Sequence, residues 1–260
     1  MKRGQTTIFI ILSIVIIAVV VVLIFVINNK EKTVDDYFLS SEVKAMMDSL
    51  IVEVQGCAEE TSINALDTIG FQGGYYNKPE KAFEVSDPDE LEILDFIPYY
   101  YYEGQILVPT RNNVENELSK AIDSELRDCL DNIDSELDFS YGNSKSLVEI
   151  KDKEVIITIK QDIKIQREEH TTTYRLEDNP IVLESGLKDI LELADYMTES
   201  RKEEPNKDCV SCIADVAEEK NLYIEVTNFD EVTTLVTIYE EYTEQQQLLM
   251  FLNKFKEEDL

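Results

Sequence analysis

The chain reads as an α+β protein, with an N-terminal transmembrane helix followed by a helical segment and an antiparallel-sheet ectodomain. Three observations predict this. An unbroken apolar run extends from Ile8 to Ile27 with Ser13 as its only polar residue. Two later segments carry apolar residues at helical spacing, and from Leu147 the apolar period falls to two, the spacing of a half-buried strand. Helices and antiparallel strands come in blocks, as in α+β domains.

A helix over the apolar run, rising about 1.5 Å per residue, spans about 30 Å, the thickness of a bilayer's hydrocarbon core. Lys2 and Arg3 precede the run and the far side soon becomes acidic. The positive-inside bias therefore predicts a cytoplasmic N-terminus, with residues 30 onward outside. A cleavable secretory signal has a shorter apolar region and a small-residue cleavage site behind it; here Asn28-Asn29-Lys30 follows. The glycine and glutamine instead stand in front, in the order Lys2-Arg3-Gly4-Gln5. That order resembles the archaeal class III signal peptide of type IV pilin-like proteins. The resemblance implies that a prepilin peptidase cuts after Gly4, leaving Gln5 as the new N-terminus. The retained helix would then hold the protein in membrane lipid or self-assemble with its copies. An uncut anchor that happens to contain Gly-Gln is the competing reading.

Beyond a short polar collar, Val43, Met46, Met47, Leu50, Ile51, Val54, Cys57 and Ala58 recur at helical spacing, continued by Ala65, Leu66 and Ile69. A long amphipathic helix is expected over residues 40–69. Gly70 and Gly73-Gly74 end it, because glycine takes the backbone conformations that close helices. Residues 75–95, with Pro79 and Pro88, read as a loop. Phe96–Tyr102 and Gln105–Val108, separated by Glu103-Gly104, predict a hairpin. A second helix carries Val114, Leu118, Ala121, Ile122, Leu126, Cys129, Leu130 and Ile133 on one stripe, and is expected to pack on the first. Leu147–Ile150, the turn Lys151-Asp152-Lys153 and a strand over Val155–Gln166 read as another hairpin, with Thr171–Leu176 the next strand. A third helix is expected over 181–200, with Leu183, Leu187, Ile190, Leu191 and Ala194 on one face. A charged linker near 199–207 with Pro205, a short helix over 208–220, strands at 222–227 and 232–239, and an apolar end at Leu248–Phe255 complete the chain. The expected divisions are a leader at 1–4, a transmembrane helix at 5–29, a helical stalk and hairpin at 30–134, and an α+β subdomain at 135–260.

Cys57, Gln72-Gly73-Gly74-Tyr75, Pro98-Tyr99-Tyr100 and Cys129-Leu130 also make the whole chain similar to a group of membrane-anchored archaeal proteins that share these segments. That resemblance implies no biochemical role.

Lys and Arg number 24 against 54 Asp and Glu, for a net charge of −30. Such a surface repels phosphate backbones and no basic patch offsets it, which excludes nucleic acid as a partner. Eight glycines and six prolines are too few for collagen-like or flexible-linker classes. No phosphate-binding loop or dinucleotide fingerprint is present, so no cofactor is implied.

All four cysteines lie beyond the apolar run, on the side where disulfides persist. Four cysteines permit three complete pairings. Cys57 and Cys129 lie on the stripes of two helices expected to pack together, so a bridge between them is expected, against two buried free thiols. Cys209-Val210-Ser211-Cys212 supports three readings: a local structural disulfide, a redox-active pair, or half of a zinc site. Redox chemistry lacks a strand leading into the motif, and zinc needs two more ligands where the only histidine is His170. His170 also lacks a Gly-x-Ser-x-Gly elbow with which to build a triad. Asp87-Pro88-Asp89-Glu90 and Asp131–Asp138 lack the spacing of a calcium loop. Tyr99, Tyr100, Tyr101 and Tyr102, with Tyr75 and Tyr76, form the densest aromatic cluster. Tyrosine suits recognition surfaces, although in a strand alternate rings would face the core. The expectation is a single-span archaeal cell-surface protein with a structural, adhesive or pilus-like assembly role and no catalysis. The rivals are a membrane-anchored thiol-disulfide oxidoreductase using Cys209 and Cys212, and an envelope ligand-binding module.

Overall fold

The computed structural model describes residues 41–85, 94–167, 170–203, 210–240 and 247–256. The expected leader and transmembrane helix lie outside these residues, and among the described residues no helix is long and apolar enough to cross a membrane. The chain falls into two units, 1–50 and 51–260. The described part of the first, residues 41–50, is wholly helical.

The described residues are mixed α and β, with four α-helices and three sheets. Helix α1 (Ser41–Phe71) carries the first stripe and ends at the glycines. The Gly74 N–H donates to the Ile69 carbonyl at 2.7 Å, with Gly73 and Gly74 at φ +54° and +83°. Three short elements follow: β1 (Ala82–Glu84), β2 (Phe96–Tyr102) and β3 (Gln105–Ile106). Residues 75–95 are therefore not all loop, because β1 pairs antiparallel with β2. The expected turn joins β2 to β3, with Glu103 at φ 50° and Gly104 at φ 97°.

Helix α2 (Arg111–Asp131) starts on Thr110, whose hydroxyl accepts from the Asn113 N–H, a normal N-cap. It buries Val114, Leu118, Ala121, Ile122, Leu126 and Leu130. Strands β4 (Asp138–Tyr141), β5 (Lys145–Lys151), β6 (Glu154–Lys160), β7 (Asp162–Arg167) and β8 (His170–Arg175) come next. The strand expected over Val155–Gln166 is two strands. They divide at Gln161, with β6 joining the β5-β6-β9 sheet and β7 the β4-β7-β8 sheet. Gln161 is nearly buried at the break, and its side-chain amide donates to the Gly142 carbonyl at 2.9 Å.

The expected helix start at 181 is also corrected, since Ile181–Glu184 form strand β9. Pro180 biases the preceding residue away from the helical region, and the β-branched Ile181 and Val182 suit a strand that pairs with β6. Helix α3 (Leu187–Glu203) begins only after Ser185, whose hydroxyl accepts from the Leu187 N–H at 3.1 Å. Helix α4 (Val210–Lys220) then leads into β10 (Leu222–Asn228), β11 (Thr233–Glu240) and β12 (Leu248–Lys254). The large sheet has the order β1-β2-β12-β11-β10, with β3 added on β2; the β12–β2 pair is parallel. Leu187, Ile190, Leu193, Ala194 and Met197 of α3 are buried on the side where α3 meets β11 and β12, themselves buried through Val236, Ile238, Leu249 and Phe251. Asp189 and Glu192 of α3 both bind Lys220 at 2.7 Å, and Asp189 also binds Lys153 at 2.9 Å. These contacts tie α3 to α4 and to the β5–β6 turn.

Candidate functional site

The segments Gln72–Tyr75 and Pro98–Tyr100 meet at one junction. The Tyr100 hydroxyl donates to the Gly73 carbonyl at 3.0 Å, and its ring stacks on Phe251 at 4.2 Å. A side chain at Gly73 would lie 2.5 Å from Pro98 and 2.6 Å from the Met250 carbonyl. Glycine is therefore required there for close approach as well as for its positive φ. Full burial drives the Tyr100 hydroxyl pKa well above its ordinary value. Past the junction, Glu117 of α2 accepts the N–H groups of Tyr76 at 3.1 Å and Asn77 at 2.9 Å. Burial pushes the Glu117 carboxyl up, but the hydrogen bonds from Lys120 and these two amides outweigh it and hold the pKa below the usual value. Cys57 of α1 and Cys129 of α2 form the expected disulfide, with Cα atoms 5.7 Å apart. The segments carrying the sequence resemblance thus meet in two separate structural contacts, the Gly73–Tyr100 junction and the Cys57–Cys129 bridge, which lies about 20 Å back along α1 from the helix end.

The four consecutive tyrosines separate by twos. Tyr100 and Tyr101 are buried, whereas Tyr99 and Tyr102 are half-exposed. Simple alternation fails because the register shifts: Leu252 faces Tyr99 and the next residue, Asn253, faces Tyr101, so Tyr100 is an extra residue on β2. On the outer face the Tyr102 ring lies under two ammonium groups, Lys81 at 5.1 Å and Lys254 at 5.0 Å, within cation–π range. Lys254 also pairs with Glu103 at 2.9 Å, and that bond raises its pKa. Tyr99 meets the Tyr102 ring edge-on at 5.1 Å, and burial raises the Tyr99 hydroxyl pKa.

The register extends this face across the sheet. Tyr99 pairs with Leu252, Leu252 with Leu235 and Leu235 with Thr227, while Tyr223 pairs with Tyr239 and stacks on it at 5.6 Å. Phe83 and Phe229 meet edge-on at 4.8 Å. The middle of this face is covered, because Leu252 is fully buried with Leu94 and Ile97, and Tyr99 and Leu235 pack against them. The aromatic area therefore forms separate groups: Tyr99 with Tyr102 beneath its two lysines, Tyr223 with Tyr239, and Phe83 with Phe229. Sequence reasoning missed Tyr223, Tyr239, Phe83 and Phe229. The period-two pattern over 222–240 placed the two tyrosines on strands, but no sequence signal said that β12 would carry these strands to β2.

The other candidates are less developed. Cys212 is disulfide-bonded, and no described cysteine is free; Cys209 lies outside the described residues, as do Gly4, Gln5 and Asp87–Glu90. His170 opens β8. Among the described residues no three His, Cys, Asp or Glu side chains are grouped to hold a metal ion. A cleft of about 250 Å³ lies between Gln55 and Glu59 of α1 and the apolar residues Ile157, Ile159, Pro180 and Val182. Among the described residues, Glu59 is its only ionisable lining residue. Comparison with protein-family models, curated proteins and solved structures finds no match.

Proposed function

We propose that the chain is a non-catalytic, single-span surface protein of an archaeal cell, with its N-terminus cytoplasmic and the region from residue 30 outside. The observation that carries this reading is the apolar run Ile8–Ile27 directly behind Lys2-Arg3-Gly4-Gln5. A prepilin-type peptidase removes Met1–Gly4, and the helix that begins the mature chain anchors or bundles it. The Cys57–Cys129 bridge supports an external location, since disulfides persist in oxidising compartments. The half-exposed Tyr99–Tyr102 pair beneath Lys81 and Lys254 supports an adhesive or binding role for the exposed region.

Intact-mass measurement of the full-length protein extracted from archaeal membranes tests this. The wild type should lack Met1–Gly4, and Gly4→Val should retain them and lose assembly. Recovery of an uncut wild type from membranes would remove the pilin-like part and leave a plain anchor; recovery from the soluble fraction would remove both. Adhesion tests the tyrosine pair separately: Tyr102→Ala should weaken attachment without changing membrane extraction.

A further inference from the structure

Strand β10 forms one end of the large sheet. The Phe229 N–H donates to the Thr233 carbonyl at 2.9 Å, and the register continues unbroken to Leu222 and Glu240. Antiparallel pairs alternate between hydrogen-bonded and non-bonded. The backbone groups of Tyr223, Glu225 and Thr227 therefore face β11, and those of Ile224, Val226 and Asn228 face the open side. Among the described residues no backbone hydrogen bond from another strand or loop reaches the latter three.

Sheet edges are ordinarily blunted by shortness, lysine, proline or bulges. Most of the other edges follow that rule: β1 has three residues, β3 two, β4 four and β9 four behind Pro180, while β5 begins and ends on lysine. β8, with six residues and neither lysine nor proline, is the exception, but it is polar, with three threonines and an arginine. β10 has seven residues with one charge, no lysine and no proline. It also exposes Tyr223 (45%) and Val226 (52%), with Phe229 (40%) just beyond its end.

We propose that β10 pairs antiparallel with β10 of a second copy, with Val226 on the two-fold axis, making one continuous sheet across the dimer. This register places Val226 against itself, Ile224 against Asn228, Glu225 against Thr227 and Tyr223 against Phe229. Val226, and Tyr223 and Phe229 beyond the contacts they already make with Tyr239 and Phe83, each meet an apolar side chain of the other copy, and neither carboxylate faces the other. Centring the axis on Glu225 would oppose two carboxylates. Centring it on Ile224 would leave Phe229 without a strand residue of the other copy opposite it and set exposed Val226 against buried Leu222. The pairing is independent of the membrane reading. It carries a charge signature, since two chains of net charge −30 repel and salt screens that repulsion.

The test uses the full-length chain in detergent, by light scattering and cysteine crosslinking. The wild type should be a dimer that tightens with salt. Val226→Lys should weaken association roughly tenfold or more while circular dichroism stays unchanged. Val226→Cys should give a reducible dimer in which mass spectrometry finds position 226 of one copy linked to position 226 of the other, since hydrogen-bonded antiparallel Cα atoms lie about 5.5 Å apart, within disulfide reach. Glu225→Cys should crosslink far less. A monomeric wild type overturns the proposal, as does a dimer that Val226→Lys leaves intact, the result expected if the apolar run alone drives association. Preferential crosslinking at position 225 overturns the register.

Discussion

The Tyr100 hydroxyl and the bare Cα of Gly73 meet at the same point, so substitutions there test the junction from both sides. Tyr100→Phe removes the hydroxyl that donates to the Gly73 carbonyl and should cost about 1–2 kcal/mol, read as a lower urea midpoint with an unchanged slope. Gly73→Ala forces a side chain into Pro98 and the Met250 carbonyl at a positive φ and should cost more. The same residues predict a pH response. Tyr100 has its pKa raised in the fold above 10.0, so its contribution is complete below that value and is lost as pH climbs toward the folded-state value. Glu117 is lowered from 4.5, so its contribution is present above that value and is lost as pH falls through the folded-state value. Thermal melts of the wild type and Glu117→Gln between pH 7 and pH 3 should converge as the pH drops; parallel curves would remove Glu117 from the account. The glycine pair was legible in the sequence as a helix end because its backbone freedom is local. The identity of the buried tyrosines was not, because it depends on a register shift against residues about 150 positions away.

At the scale of elements, the disulfide between α1 and α2 is open to a direct test. It closes a loop of 72 residues in sequence and should contribute roughly 3–5 kcal/mol in the chain-entropy model. The double change Cys57→Ala, Cys129→Ala should lower the melting temperature, whereas a reductant should then have little further effect on these helices. The bridge was readable because both cysteines sit on helical stripes, and helix periodicity survives into the fold. The strands were harder to delimit. The run Val155–Gln166 keeps its alternation through Gln161, so nothing local announces that the chain changes sheets there. Ile181–Glu184 joined a helical stripe on paper through Leu183, which in the fold is buried from a strand. In both cases the partner strand, and not the segment's own pattern, decided the outcome.

For the whole molecule, the α+β class was legible because blocks of period 3.6 and period 2 are separated in the sequence, but sheet order was not. Net charge acts at this scale too. With 54 acidic against 24 basic residues, self-repulsion opposes compactness, so raising sodium chloride should raise the melting temperature of the full-length protein in detergent; a fall would show that its ion pairs, such as those of Lys220, outweigh the net charge. The parallel pairing of β2 with β12 has a consequence in time. Those strands are about 150 residues apart in the chain, so at roughly 5–20 residues per second a growing polypeptide holds β2 without β12 for about 8–30 seconds. Cys57 and Cys129 both emerge well before residue 248. The staple can therefore close before β12 exists, and β2 meets the rest of the large sheet only when β12 emerges beside its hairpin partner β11.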